Sequence, residues 1–268
     1  MTPVMFTVLG ASGYVGSHLV AYLRSCGHEV WAPARGDTSI FSRPLGHVFY
    51  CIGLTADFRT RPFDTIEAHI SFLADVLQRA QFDSLLYLSS TRVYMGASST
   101  REDALLTVLP SDPSYLYNLS KLTGESLCHT SGKPGVRVVR LSNVVGPNMD
   151  PATGNFIAAL LNDAHNGYIF LRSDLESSKD YIHINDVVEG LLLIALKGEL
   201  NAYNLASGRN ITHKDWIDWM QRFLNFNFSV EINAPLQFFP LIEMDVLRGE
   251  LYFHSNDVLN FSEISINK

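Results

Sequence analysis

Tyr117 and Lys121 stand four residues apart in the stretch SYLYNLSKLTGESL. On a helix that spacing puts both side chains on one face, one turn apart. An ammonium beside a phenol favours the phenolate and draws the tyrosine pKa below its usual ~10, so the pair can exchange a proton with a carbinol near neutral pH. Tyr115 is a poorer candidate, because no lysine follows it at that spacing. Y-x-x-x-K is common by chance in amphipathic helices and gains weight only with company. That company is LLYLSSTRVYMG, where Ser89, Ser90 and Thr91 close an apolar run. Hydroxyls at a strand end either satisfy a turn or hydrogen-bond a reacting oxygen.

A second constellation lies at the start of the chain, in FTVLGASGYVGSHLV. Gly10 ends an apolar run, Gly13 leaves room for an incoming group, and Gly16 allows a helix to pack closely on the strand before it. The first turn of that helix presents free N–H groups and the positive end of its dipole, a seat for a pyrophosphate. The motif therefore reads as a dinucleotide site, with Ser12, Tyr14 and Val15 completing the loop around the glycines. Its spacing is G-x-x-G-x-x-G, not G-x-G-x-x-G.

These groups need elements to hold them. Strand patterns are predicted at 4–9, 29–34, 47–52, 84–90 and 135–142, and helix patterns at 14–25, 62–80 and 113–130. Short buried strands alternating with helices give an α/β fold, a Rossmann-type doubly wound parallel sheet. Only PARGDTSIFSRPLGH separates the second and third strands, enough for a stub strand near Thr38 to Phe41. The later part reads as a helix at 155–166, strands at 168–171 and 181–184, a helix at 186–197 and a strand at 202–206. A further helix starts at Thr212, with Asp215 completing a capping-box pair. The domain reading is 1–150 as a dinucleotide-binding domain with 181–206 packing back onto it. Residues 151–180 and 207–268 form a small C-terminal substrate-binding region.

Composition narrows the function. The chain has 268 residues, 47% hydrophobic and 18% charged, with a net charge of −7. It can build a real core, and without a basic stripe it is not read as a nucleic-acid binder. The run LLLIAL at 191–196 is far too short to span a bilayer, and the first apolar run feeds the glycine turn, so it is read as a core strand rather than a signal peptide. Cys26, Cys51 and Cys128 are scattered and odd in number, which suits a reducing cytoplasm. No metal-ligand spacing is present. His69 and His183 are read as packing or hydrogen-bonding residues, and Trp216 and Trp219 as core.

Taken together, GASGYVG, SSTRVYMG, YNLSK, RLSNVVGP and KDYIHINDV resemble, in order and approximate spacing, the extended short-chain dehydrogenases/reductases that act on nucleotide sugars as epimerases, dehydratases and reductases. The resemblance implies Tyr117 as catalytic acid/base, Lys121 holding the cofactor ribose and lowering the Tyr117 pKa, and Ser90 as the catalytic hydroxyl with Thr91 beside the substrate. It also implies Cys51, Ile52 and Gly53 under the ribose, Leu141 and Ser142 by the nicotinamide, and Asn143 and Lys179 at the substrate diphosphate. Relatives pair the helices at 62–80 and 113–130 across a dyad, so a homodimer is implied.

Departures from the pattern are informative. His69 replaces a helix asparagine, Lys179 an arginine and Asn185 an aspartate. A lysine lacks the bidentate fork of arginine, so the diphosphate contact would be weaker. Thr91 and Arg92 stand where sugar dehydratases carry acids, which disfavours dehydration. The second strand ends at Ala34, followed by Arg35, with no acid for the ribose hydroxyls; this points to NADP. NAD stays open, with Asp37 reaching the ribose instead. The reading is an NAD(P)-dependent oxidoreductase of a nucleotide-linked sugar, a 4-keto-sugar reductase. A 4-epimerase with retained cofactor, a reductase of a small carbonyl compound and a non-catalytic NADP-binding regulator stay open as alternatives.

Overall fold

A computed structural model describes residues 3–54 and 57–266. β1 (Met5–Leu9) leads through α1 (Tyr14–Ser25) to β2 (Glu29–Trp31), and β3 (His47–Tyr50) returns to the other side of β1. A segmented helix follows, α2 (Pro62–Ile66) and α3 (Phe72–Arg79), then β4 (Ser84–Ser90), α4 (Leu116–Thr130) and β5 (Val136–Leu141). β6 (Asn143–Val145), α5 (Phe156–His165), β7 (Tyr168–Leu171) and β8 (Ser178–His183) leave the main sheet. α6 (Ile184–Lys197) brings the chain back to β9 (Ala202–Leu205) at the edge. β10 (Asn210–Thr212), α7 (His213–Met220), β11 (Asn227–Val230) and α8 (Asp245–Leu251) follow.

The main sheet has the order β2-β1-β3-β4-β5-β9, and every pair in it is parallel. The order reverses at β1, so the carboxyl ends of β1 and β3 open a crevice there. β4 is buried along its length until Ser90, as a central strand with both faces covered must be. One face is packed by α1 and α6 through Leu19, Leu23, Val187, Leu191 and Ile194. The other is packed by α3 and α4 through Leu73, Val76, Leu77 and Cys128. A third core, with Ile157, Leu161, Trp216, Trp219 and Met220, fills the region built from α5, α7 and the β7 and β8 strands. Two small sheets, β10-β8-β6 and β11-β7, border it.

Local readings held at most helix starts. Thr212 and Asp215 form the expected capping box ahead of α7. Three expectations are corrected. Residues 38–41 form a 3-10 turn, not a stub strand: the Asp37 carboxylate accepts from the Ser39 N–H at 2.9 Å and its hydroxyl at 2.7 Å, which commits the backbone to a cap. β2 is therefore the sheet edge. The helix expected over 62–80 is interrupted by a π-turn at Glu67–Ser71. The helix expected from 113 opens with a 3-10 turn, Pro113–Tyr115, before α4. Among the described residues, no helix is long and apolar enough to cross a membrane.

Candidate active site

The glycine loop has the geometry its sequence demands. Gly10 sits at φ +86°, and a Cβ there would lie 2.9 Å from the Cys51 carbonyl carbon and the Ile52 nitrogen. A Cβ at Gly16 would come within 2.3 Å of the Gly10 carbonyl oxygen, so only glycine lets α1 approach the strand end. Ser12 and Gly13 are exposed at the crevice. α1 has no side-chain cap and no acid in its first turn, which leaves its leading N–H groups for an anionic ligand. The residues present thus fit a dinucleotide pyrophosphate. Val15 packs against the core below, and the Tyr14 hydroxyl donates to the Pro147 carbonyl at 3.1 Å, tying the loop to the second half of the chain.

Cys51, Ile52 and Gly53 follow β3 at the same end of the sheet, and Leu141 and Ser142 follow from β5. Leu141 and Ser142 are buried, and the Ser142 hydroxyl lies beside the Asp180 carboxylate. A Cβ on Gly53 would meet His69 Nε2 at 3.1 Å and Lys121 Nζ at 3.4 Å, so this loop runs directly over the lysine. Arg35 is exposed after the end of β2.

α4 carries Tyr117 and Lys121 on its buried face, 5% and 4% exposed. Ser90 ends β4 and caps the 3-10 turn Thr91–Tyr94, accepting from the Arg92 N–H at 3.2 Å. Its hydroxyl lies beside the Tyr117 phenol and favours the phenolate. The structure corrects the expected electrostatics. Burial pushes the Tyr117 pKa up, and Ser90 and Arg92 only moderate the rise. Lys121 does not offset it: Nζ lies 6.0 Å from the Tyr117 ring and donates to the Leu88 carbonyl at 2.8 Å. Burial draws Lys121 itself down to about 7, against the opposing field of Glu125.

His69 is wholly buried in the π-turn. Its Nε2 accepts from the Leu54 N–H at 3.2 Å, and its Nδ1 lies 2.8 Å from the Ser120 hydroxyl. Ser120 itself donates to the Tyr117 carbonyl, so Nδ1 is the protonated nitrogen. The ring meets Tyr117 edge-on, with centroids 5.4 Å apart. Beneath the strand ends, Ser89 donates to Glu125, and Glu125 pairs with Arg140 at 2.7 Å. Arg140 reaches the Tyr94 hydroxyl, and Tyr94 donates to Asn204.

Across the crevice, the Asn143 amide donates to the Asp180 carbonyl at 2.8 Å. The half-buried Lys179 ammonium lies 5.8 Å from the Phe156 ring centroid and 5.6 Å from that of Phe239. Thr91 is buried. The sequence reading passed over Phe58, Phe156 and Phe239 and gave Arg92 no binding role. Phe58 packs 5.6 Å from the Tyr117 ring. Arg92, read only as an absent acid, stands 6.0 Å from that same ring. Its signal was its place two residues after Ser90. Among the described residues, no group of three His, Cys, Asp or Glu side chains could hold a metal ion.

Known proteins are similar to this chain in sequence and fold. GDP-6-deoxy-D-mannose reductase of Pseudomonas aeruginosa is 29% identical over 245 residues, spanning 81% of this chain and 79% of its own. dTDP-4-dehydro-6-deoxy-D-allose reductase of Streptomyces bikiniensis is 24% identical, over 76% of each. MoeE5, solved with UDP-glucuronic acid and NAD, superposes with a TM-score of 0.80 at 21% identity, over 95% of both chains. The sequence profile of the NAD dependent epimerase/dehydratase family matches residues 6–206, which takes in the glycine loop, the Ser90–Tyr117–Lys121 cluster and the main sheet from the second residue of β1 to the end of β9. With that match laid over the crevice it describes, the chain belongs to the NAD dependent epimerase/dehydratase family.

Proposed function

We propose that this protein is an NADP-dependent reductase of a 4-keto sugar carried on a nucleoside diphosphate. The observation that carries the reading is the convergence of Ser90, Tyr117 and Lys121 beside the glycine loop, with a half-buried cation, Lys179, that shares the field of Arg92. A bound nicotinamide would supply the hydride. Tyr117 would deliver the proton to the sugar oxygen, and Ser90 would hold that oxygen in place. Lys121 would bind the cofactor ribose; a dinucleotide beside it adds negative charge and favours its protonated form. Gly10, Ser12, Gly13, Tyr14, Val15 and Gly16 would form the pyrophosphate seat. Cys51, Ile52, Gly53, Leu141 and Ser142 would line the nucleoside and nicotinamide side. Asn143, Thr91 and Lys179 would face the substrate.

Two further points support the finer reading. Asp37 spends its carboxylate on the Ser39 cap, which leaves Arg35 as the group for a ribose 2′-phosphate and favours NADP over NAD. Two of the relatives are reductases of 6-deoxy nucleotide sugars. In this reading residues 1–150 with 181–206 form the cofactor domain, and 151–180 with 207–268 the substrate region. Phe63, 87% exposed on α2, supports a homodimer through the helices at 62–80 and 113–130. The three free cysteines fit a reducing compartment such as the cytoplasm.

The test supplies purified protein with NADPH and 4-keto-6-deoxy nucleotide sugars. Stoichiometric NADPH oxidation is expected. Interconversion of two sugar epimers without net oxidation would replace the reductase by an epimerase, and binding without turnover would replace it by a regulator.

A further inference from the structure

We infer that Arg92 is a substrate-binding residue whose guanidinium takes an anionic oxygen group of the substrate, a phosphate on the sugar or a carboxylate on its ring, close to the carbon on which Tyr117 acts. The inference rests on the nucleotide-sugar reading above and adds to it a binding residue and the chemistry it selects.

The orientation of Arg92 is built rather than loose. Its backbone is fixed in the turn capped by Ser90. Its Nε donates to the Asn118 side-chain carbonyl at 3.2 Å, and one Nη donates to the Ser114 carbonyl at 3.3 Å. Asn118, wholly buried, returns a bond to the Arg92 carbonyl at 3.0 Å. The guanidinium carbon then lies 5.6 Å from the Phe58 ring centroid and 6.0 Å from that of Tyr117. Both of its hydrogen-bond partners are neutral carbonyls. They set the direction of the fork and leave its charge unmatched.

No carboxylate among the described residues forms an ion pair with Arg92. The acid that acts on it, Asp112, caps the turn at Pro113–Tyr115 by accepting from the Ser114 N–H. Its other charged neighbours are cations: Arg59 disfavours its charge, and Arg92 in turn disfavours that of Lys179. Like charges facing Arg92 from two sides are unfavourable until an anion joins them. The planar fork of arginine matches the two oxygens of a carboxylate or phosphate. A purely structural tie between the turn and α4 would need the hydrogen bonds but not the charge.

The test uses the full chain, with affinities measured by calorimetry for UDP, GDP, UDP-glucose, UDP-glucuronic acid and NADPH. Arg92→Gln removes the charge, and Arg92→Lys keeps it without the fork. If the group is a phosphate, Arg92→Gln should weaken the diphosphates and both sugar nucleotides alike, by tenfold or more. If it is a ring carboxylate, only UDP-glucuronic acid should weaken to that extent. In either case NADPH affinity stays within twofold of wild type and Arg92→Lys recovers part of the loss. Unchanged affinity for all four substrate-side ligands overturns the inference, as does a parallel loss for NADPH, which would mark a structural role. Should Arg92→Gln fail to fold, Arg92→Lys carries the comparison, because it too should lose affinity through the missing fork. If the wild-type protein binds none of the four, the nucleotide-sugar reading fails first and this inference falls with it.

Discussion

Tyr117 is a phenol whose burial raises its pKa, so its protonated form is the resting one. That suits a group that must give a proton to a carbonyl oxygen. Tyr117→Phe keeps the ring against Phe58 and His69 and removes only the proton; turnover should fall by ~10²–10⁴-fold while NADPH still binds, as steady-state kinetics and calorimetry would show. Full activity in that variant would end the assignment. Arg35 makes a separate claim. In the NADP reading, Arg35→Ala would remove one charge-assisted contact, worth about 1.5–3 kcal/mol, so NADPH affinity should fall more than tenfold and NADH affinity should barely change. Equal losses would return the ribose contact to the loop around Asp37.

At the scale of elements, the strand ends are held level by the buried chain from Ser89 through Glu125 and Arg140 to Tyr94 and Asn204. Glu125→Gln leaves the Arg140 charge buried without its partner and should destabilise the protein by about 3–5 kcal/mol in urea unfolding. Replacing both, with Glu125→Gln and Arg140→Met, should recover much of that loss. A single variant as stable as wild type would show that the pair contributes little. The strand-glycine-helix unit was legible in the sequence because its signals are local: an apolar run, glycines at fixed spacing, and a helix start. The Tyr117–Lys121 face was legible for the same reason, since helical spacing alone sets it. The interaction between the two was not, because burial depends on what packs over α4 from β3, β4 and the π-turn. The π-turn itself left no mark in the 62–80 pattern. The position of Arg92 beside Ser90 was in the sequence, but its orientation was not, because Asn118 and Ser114, far along the chain, set it.

Across the whole molecule, three buried histidines couple folding to pH. His69 is drawn down to about 2, and His183 and His213 to about 4, each mainly by burial. Their ordinary pKa is near 6.5, so below that pH the unfolded chain binds protons the folded one refuses. Stability therefore falls as the pH drops from 6.5, whereas the buried acids Asp180 and Asp186, shifted upward, act in the opposite sense. His69→Asn isolates one contribution: its loss of stability between pH 6 and 5 should be smaller than that of wild type by about 1 kcal/mol. Equal slopes in urea titrations would refute the buried neutral His69. The early end of the sheet at β2 has a different consequence. With a 3-10 turn where another strand could stand, the chain between Trp31 and His47 keeps Ile40 and Leu45 in the core and exposes Ala34, Arg35 and Gly36 beyond the end of β2. In the proposed reading, the choice of cofactor is then written in one short exposed cassette, whereas the sugar side would draw on residues scattered from Phe58 to Phe239. Such a division makes the two specificities separately evolvable: the exposed residues 34–36 could be exchanged to retune the cofactor while Ile40, Leu45 and the sheet they pack on stay in place.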